Sequence, residues 1–357
     1  MRVLAGVVVL VVVALAAVHA FQAPIGYMLA ERAIAERLAV NTLDDLGEGL
    51  HAGLCGSGSP FPDESRAGPC LFVIAGEQFF VVDTGGGSTE TLQLMGLPVG
   101  EIDALFLTHY HSDHIADLGE LMLQRWAGAS NQAPLPVYGP RGLGEVISGF
   151  NAALALDASY RVAHHGPETM PPGGAGSAVV WEVETLSNDG TRIVYDEGGL
   201  LVTMFLVDHH PVDPTVGYRF DYGGRSVVIS GDTSYSPQVV AQAQNADLLF
   251  HDALSTPLVT LIEEEALARD DQAIAHIMTD IMDYHATPEE AARTAQEAGV
   301  DMLVLYHLVP PIPSRFFYPA FLGEADGYFE GPIIVGEDRM LFSLPTEEHD
   351  VIERSQL

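Results

Sequence analysis

Between Thr108 and His114 the chain reads Thr-His-Tyr-His-Ser-Asp-His, which places His109, His111, Asp113 and His114 within six positions. Alternate residues of an extended segment point to one side, so His109 and His111 can grip one cation from a single face. Asp113 and His114 follow where the pattern turns helical, and they can aim at a second cation. Imidazole and carboxylate donors together suit zinc, and also manganese or iron. A lone histidine is usually a satisfied core or surface residue. Three of them with an aspartate, at the end of an apolar run, are hard to explain without a metal. Later apolar runs end on further candidates: His209 or His210 after LVTMFLVD, Asp232 after RSVVISG, and His307 after MLVLY. Asp232 can bridge two cations, His307 can complete the second site, and His209 or His210 can complete the first. Two divalent ions lower the pKa of a water between them to about 7, which is chemistry for hydrolysis at neutral pH.

Such a set needs strands that stop at a common edge. Leu50–Cys55, Leu71–Ala75, Phe79–Asp83 and Ala104–Leu107 read as strands. Ala178–Glu184, Leu200–Val207, Asp247–His251 and Met302–Leu308 read the same way. Ile115–Trp126 and Gly142–Leu156 have helical spacing, and Thr169–Gly176 (TMPPGGAG) is an irregular loop. GYRFDY and RSVVIS flank Gly223-Gly224, a two-residue hairpin turn whose positions both accept positive φ. Thr287-Pro288-Glu289-Glu290 opens a helix with a threonine cap, proline at its first position and glutamate three residues after the cap. Gly299 stops it. Short strands alternating with helices give an α/β protein. The expected division is a leading segment, 1–40, and one catalytic domain, 41–357.

The order of these residues resembles the metallo-β-lactamase superfamily. His109, His111, Asp113, His114, one of His209 and His210, Asp232 and His307 match the family's metal ligands in sequence order. The resemblance covers roughly Leu50 to Leu344 and implies a four-layer αββα sandwich with two metal ions, zinc above all, at one edge between the sheets. Asp83 in VVDTG matches an aspartate that supports the site without touching metal. Within the superfamily the chain resembles the ribonuclease Z and zinc-dependent arylsulfatase branches, through Gly56–Pro60, Gly217–Arg219, Ser230–Thr233 and Tyr284–Pro288. In that pattern a histidine followed by a small residue, Pro-Val and then GYR supplies the ligand, which favours His209 over His210. His251 and His285 stand where the ribonuclease Z group carries proton-transfer or supporting histidines; core histidines bonded to backbone are the alternative for each. The resemblance implies a catalytic set of Asp113, Asp232, His285 and His251, with Asp232 holding the metals and orienting the nucleophile. His164 and His165 are candidate substrate contacts.

Composition narrows the function classes. All 15 basic residues are arginine, against 49 acidic residues and a net charge of −34. Without lysine, Schiff-base, Walker-type and Ser-Lys chemistry are excluded. Few groups are available to neutralise a phosphate backbone. Arg2 precedes an unbroken apolar run from Val3 to Val18, followed by an amphipathic stretch from Glu31 to Leu38. The run lies between a secretory signal and a spanning helix in length. It is expected to be an apolar helix that anchors the chain in a membrane or acts as a signal peptide, with the domain exported to the periplasm or beyond. Cys55 and Cys70 enclose a Gly/Pro/Ser-rich loop and can pair in an oxidising compartment or stay as buried thiols. The expected function is therefore that of an arylsulfatase-like or phosphodiesterase-like hydrolase of a small ester, with no nucleic-acid partner. Three features argue against a ribonuclease Z: the charge, export, and a hairpin at Gly217–Asp232 with no room for an RNA-clamping arm. A tRNA 3′-processing endonuclease and a non-catalytic metal-binding member are the alternatives. Specificity is expected to lie in loops such as Ala163–Gly176 and Pro310–Gly327.

Overall fold

The structure, a computed structural model, describes residues 2–354 apart from 175, 185, 188 and 348. The chain falls into two compact units, Met1–Thr42 and Leu43–Leu357. The first consists mainly of one helix, α1 (Arg2–Ala39), with Pro24 inside it and an exposed Arg32–Glu36 ion pair at 2.7 Å. The expected membrane anchor is not supported. Among the described residues no helix is long and apolar enough to cross a membrane. The Val3–Val18 run falls in large part on side chains outside the described residues, and the remainder of α1 carries charge at Glu31, Arg32, Glu36 and Arg37.

The second unit holds two sheets. The chain first lays down β1 (Gly49–Gly56), β2 (Cys70–Ala75), β3 (Gln78–Val82), β4 (Ala104–Phe106), β5 (Leu135–Pro140) and β6 (Ala178–Val183). It then crosses to β7 (Thr191–Glu197), β8 (Leu200–His209), β9 (Val212–Tyr222), β10 (Arg225–Ile229), β11 (Leu248–Leu254), β12 (Met302–Val309) and β13 (Ile333–Val335). It returns as β14 (Leu341–Pro345) and β15 (Ile352–Arg354). The eight-stranded sheet has the order β15-β14-β1-β2-β3-β4-β5-β6, and the seven-stranded sheet β13-β12-β11-β10-β9-β8-β7. Helices α2 (Ser88–Leu94), α3 (Ser112–Ile115), α4 (Leu118–Ala129) and α5 (Leu143–His165) follow strands of the first sheet. Helices α6 (Pro237–Gln242), α7 (Thr256–Ala268), α8 (Gln272–Ile281), α9 (Pro288–Ala298) and α10 (Tyr318–Leu322) belong to the second half.

Alternation along the strands explains the layers, because successive side chains point to opposite faces. In β3, Phe80 and Val82 join Phe106, Tyr218, Phe220, Phe250 and Phe342 in the core between the sheets. Their neighbours Phe79 and Val81 face outward with Phe72 and Leu105 and are covered by Leu92, Leu118, Leu121, Leu143 and Ile147 of α2, α4 and α5. On the other side Val228, Leu249 and Leu303 are covered by Val239 of α6 and by Ala291, Ala292, Ala295 and Ala298 of α9. Helix, sheet, sheet, helix is the arrangement the sequence implied.

Several boundaries differ from expectation. The single helix expected over Ile115–Trp126 is broken at Ala116–Asp117, where Asp117 accepts a bond from Thr89 N at 2.8 Å and so ties α2 to the start of α4. Helix α5 runs to His165 rather than Leu156, so the start of the expected substrate loop at Ala163 is helical. Ala175 of that loop lies outside the described residues. The Pro310–Gly327 segment contains α10 and two short 3-10 turns. Cys55 and Cys70 are disulfide-bonded, Cα to Cα 5.0 Å, closing a loop of 15 residues. A closure of that length contributes about 3 kcal/mol by constraining the unfolded chain.

Candidate metal centre

The residues singled out in the sequence come together where strands of both sheets end. The segment Leu107–His111 leaves β4 and is gripped from both sheets: Leu107 N donates to Tyr138 O at 2.8 Å, Tyr218 OH to Leu107 O at 2.7 Å, and Val216 N to Thr108 O at 3.1 Å. Asp232 follows Gly231, whose φ of 68° and a would-be Cβ only 2.6 Å from Val216 O leave no room for a side chain. His307 is the extra residue of a bulge in β12, opposite the step from Asp252 to Ala253, and has φ of 46°. A bulge of this kind re-aims a side chain that regular pleating would send elsewhere. Asp83, at φ 59°, is a second non-glycine residue held in the left-handed region beside the site, and such strain persists only where surrounding contacts impose it.

Hydrogen bonds fix which nitrogen three of the rings present. Asp83 accepts from Thr108 N at 2.9 Å and Thr108 Oγ1 at 2.8 Å, and its Oδ2 lies 2.8 Å from His114 Nδ1. His114 therefore carries its proton on Nδ1 and turns Nε2 inward. His109 Nδ1 donates to Thr108 Oγ1 at 3.1 Å, and His209 Nδ1 to Tyr284 O at 3.0 Å. In each case the bare Nε2 faces the cluster, the arrangement that metal-binding histidines require.

Two groups of donor atoms result. His109 Nε2 lies 3.0 Å from His111 Nδ1, His209 Nε2 lies 3.4 Å from the same atom, and Asp232 Oδ2 is 3.8 Å from His109 Nε2. In the second group His114 Nε2 and His307 Nε2 are each 3.2 Å from Asp232 Oδ2, and 3.5 and 3.3 Å from Asp113 Oδ2. Four donors about 2.0–2.2 Å from one ion in a tetrahedron stand about 3.3–3.6 Å apart. The spacing fits, and Asp232 Oδ2 belongs to both groups. Asp232 Oδ1 and His307 Nδ1 are buried without a hydrogen-bond partner, so part of the cluster's polar capacity is unsatisfied by protein alone.

Electrostatics divide the rings. Burial pushes His109, His111 and His209 below the ordinary imidazole range, so they are neutral and free to ligate. Burial alone would do the same to His114 and His307, but the Asp232 and Asp113 carboxylates outweigh it and hold both rings above that range. Burial opposes ionisation of Asp113, yet His114 and His307 bring its pKa down to about 2. The same two histidines hold Asp232 well below the ordinary carboxylate value against its own burial. Two cations there would replace those protons.

His209 is buried in the cluster, whereas His210 is exposed and belongs to none of the candidate metal-holding groups among the described residues. His285 stacks on His307 at 5.1 Å between ring centroids, and its Nδ1 lies 3.0 Å from Asp252 Oδ2. His251 is wholly buried behind Asp252. Asp252 and Tyr284 were not singled out from sequence. The signal for Asp252 was present: a carboxylate inside the wholly buried strand β11 must be paired to be tolerated. His164 and His165 end α5 exposed and stacked on each other at 5.1 Å. A cleft of about 580 Å³ opens onto the cluster, lined by His111, His209, His210 and Tyr284, with Asp208, Asp280 and Asp283 at its rim. A larger cavity of about 690 Å³, lined by Arg66, Arg315 and Glu337, contains none of the cluster residues.

The chain belongs to the metallo-beta-lactamase superfamily, whose family model matches residues 65–276. It is 40% identical over 260 residues to a Ribonuclease Z of Mycobacterium sp. (strain KMS), covering 72% of this chain and 84% of that protein. It is 37% identical over 292 residues to the Ribonuclease Z of Mycobacterium bovis (strain BCG / Pasteur 1173P2), covering 81% and 96%. Among solved structures, the metallo-beta-lactamase fold protein YhfI from Bacillus subtilis superposes with a TM-score of 0.59 at 22% identity, covering 83% of this chain and all of that one. The short form of human tRNase Z gives 0.58 at 21%, covering 83% and 99%. These two likenesses show the fold.

Relatives named Ribonuclease Z overturn two expectations: the arylsulfatase-like hydrolysis of a small ester, and the exclusion of a nucleic-acid partner. The reasons offered for both do not carry. Net charge is a sum over the whole surface and does not fix the potential at one cleft. The argument from export rested on an anchor or signal segment, Val3–Val18, whose side chains lie in large part outside the described residues. The short Gly217–Asp232 hairpin is real, but it describes one connection only.

Proposed function

We propose that the chain is a ribonuclease Z-like phosphodiesterase that cleaves RNA at tRNA 3′ ends, with two divalent ions, zinc foremost, held by His109, His111, His209, Asp113, His114, His307 and a shared Asp232. The observation that carries this reading is the 40% identity to a Ribonuclease Z across 84% of that protein's length. The convergence of donor atoms at tetrahedral spacing supports it. Ions bound there would supply Lewis acidity and an ionised water near neutral pH. The chain's own residues do the rest. Asp83 and Thr108 hold the rings in their ligating tautomers, and Asp232 keeps the two donor groups in register. Asp252 accepts the Nδ1–H of His285, which leaves Nε2 of His285 free to give a proton to the departing oxygen. The test is cleavage of a precursor tRNA by the zinc-loaded chain and by Asp232→Ala. The unaltered chain is expected to release the 3′ extension and the variant to lose that activity. A chain that holds metal and leaves the precursor intact would refute the reading.

A further inference from the structure

His307 is placed differently from the other buried rings of the cluster. His109, His114 and His209 each have Nδ1 held by a hydrogen bond, whereas Nδ1 of His307 is buried without one. Stacking on His114 at 5.2 Å and on His285 at 5.1 Å sets the plane of its ring. Its reach toward Asp113 and Asp232 is left to the backbone, which stands at φ 46° in the β12 bulge. Such a conformation persists only where neighbouring contacts impose it. One of those contacts comes from the other sheet: N of the next residue, Leu308, donates to Ser57 O at 3.1 Å. Ser57 belongs to the connection between β1 and β2, whose ends the Cys55–Cys70 disulfide ties together. A loop can hold a strand only if it is itself held. Asp338 Oδ1 accepts from Ser57 N and Ser57 Oγ, both at 2.8 Å, and its Oδ2 accepts from Ala67 N at 2.6 Å. The main chain on either side of Asp338 is anchored too, Gly336 N donating to Leu305 O of β12 and Arg339 N to Leu54 O of β1, each at 2.8 Å. The carboxylate therefore stands where the loop, β1 and β12 join, and it belongs to none of the candidate metal-holding groups.

We infer that Asp338 is a positioning residue for the metal centre: it fixes Ser57 so that Ser57 O holds Leu308 N, and through that bond it keeps His307 turned to Asp113 and Asp232. The inference rests on reading the cluster as a two-metal centre and is independent of the substrate. Its effect is lopsided. His307 shares a donor group with Asp113 and His114. His109 and His209, in the other group, are set by Thr108 and Tyr284 and not by the loop. Loss of Asp338 therefore weakens the ion that His307 helps to hold and spares the other. A support one step removed from a metal ligand contributes about 10–100-fold in affinity.

The experiment strips metal from the full chain, Asp338→Ala, Asp338→Asn and His51→Gln, and titrates each with zinc against a competing chelator. Elemental analysis gives the stoichiometry, and melting of the metal-free proteins is followed alongside. Asp338→Ala is expected to weaken one of the two ions about 10–100-fold and to leave the other within about threefold. Asp338→Asn keeps an oxygen for both Ser57 donors and is expected to restore most of the lost affinity. His51→Gln alters a buried side chain bonded to Gly47 O and Ser343 Oγ, away from the cluster. It is expected to melt earlier and to hold both ions as the unaltered chain does. Should Asp338→Ala not fold, Ser57→Ala removes one of the three donors and is expected to weaken the same ion about threefold or more; unchanged affinity there would overturn the inference. Equal weakening of both ions in Asp338→Ala, or no weakening, would overturn it as well. So would an Asp338→Asn no better than Asp338→Ala, or the same lopsided loss in His51→Gln. An unaltered chain that binds fewer than two ions would overturn this inference and the metal centre together. An intact precursor tRNA, with the lopsided binding preserved, would overturn the ribonuclease reading alone.

Discussion

His209 and His210 are neighbours in the chain and part ways in the fold. One is buried with its Nδ1 tied to Tyr284 O, and the other stands exposed at the cleft. His209→Ala should therefore bind about one zinc fewer per chain and lose most activity, while His210→Ala should keep both metal content and turnover near the unaltered values. Elemental analysis alongside the activity assay checks this, and equal metal loss in both variants would contradict it. At this scale the sequence was informative because ligand chemistry leaves few choices. Three histidines and an aspartate in six positions, with Asp232 and His307 at later strand ends, admit little but a cation site. The tautomers were not legible, because they depend on Thr108, Asp83 and Tyr284, contacts that only the folded chain makes. Asp252 was passed over for a related reason. Its neighbour His251 drew the attention, while the carboxylate's partner His285 lies 33 residues further along.

Elements that carry their own punctuation were readable, and those defined by their neighbours were not. The capping box at Thr287 is formed in both directions, with Thr287 Oγ1 accepting from Glu290 N at 3.2 Å and Glu290 Oε2 from Thr287 N at 2.9 Å. Gly299 closes α9 at φ 67°. Thr287→Ala should cost about 1 kcal/mol, read as a drop in the urea midpoint with an unchanged slope. Strand β7 escaped the sequence reading because its sheet-edge position leaves it half exposed, without the apolar run that marks the central strands. Strand β1 makes a pH-dependent contribution of its own. His51 is buried in it, with Nε2 2.9 Å from Gly47 O and Nδ1 3.0 Å from Ser343 Oγ, and burial lowers its pKa. A histidine lowered on folding binds its proton more readily in the unfolded chain, so the folded state loses stability as pH falls through the ordinary imidazole range near about 6.5. The stability advantage of the unaltered chain over His51→Gln should shrink between about pH 7.5 and 5.5, as urea unfolding at the two pH values would show. A gap that widens in acid would contradict the burial argument.

For the whole molecule the open tension is between an RNA substrate and a net charge of −34 with no lysine. Fifteen arginines, many of them paired with carboxylates such as Glu265, Glu297 and Glu337, leave little to displace counterions from a long phosphate backbone. Binding is then expected to concentrate at the metal centre. Precursor affinity should depend steeply on metal loading and only weakly on salt, with a log–log slope of magnitude well below the value of about 10 seen where many phosphates are neutralised. A steep slope would reveal a basic surface the described residues do not show. The most direct test of the central claim is a single cleavage assay: the zinc-loaded full chain with a precursor tRNA bearing a 3′ extension, beside the same protein stripped of metal. Release of the extension by the loaded protein alone, abolished in Asp232→Ala, is the expected result. An intact precursor after incubation with protein carrying two ions per chain would contradict it.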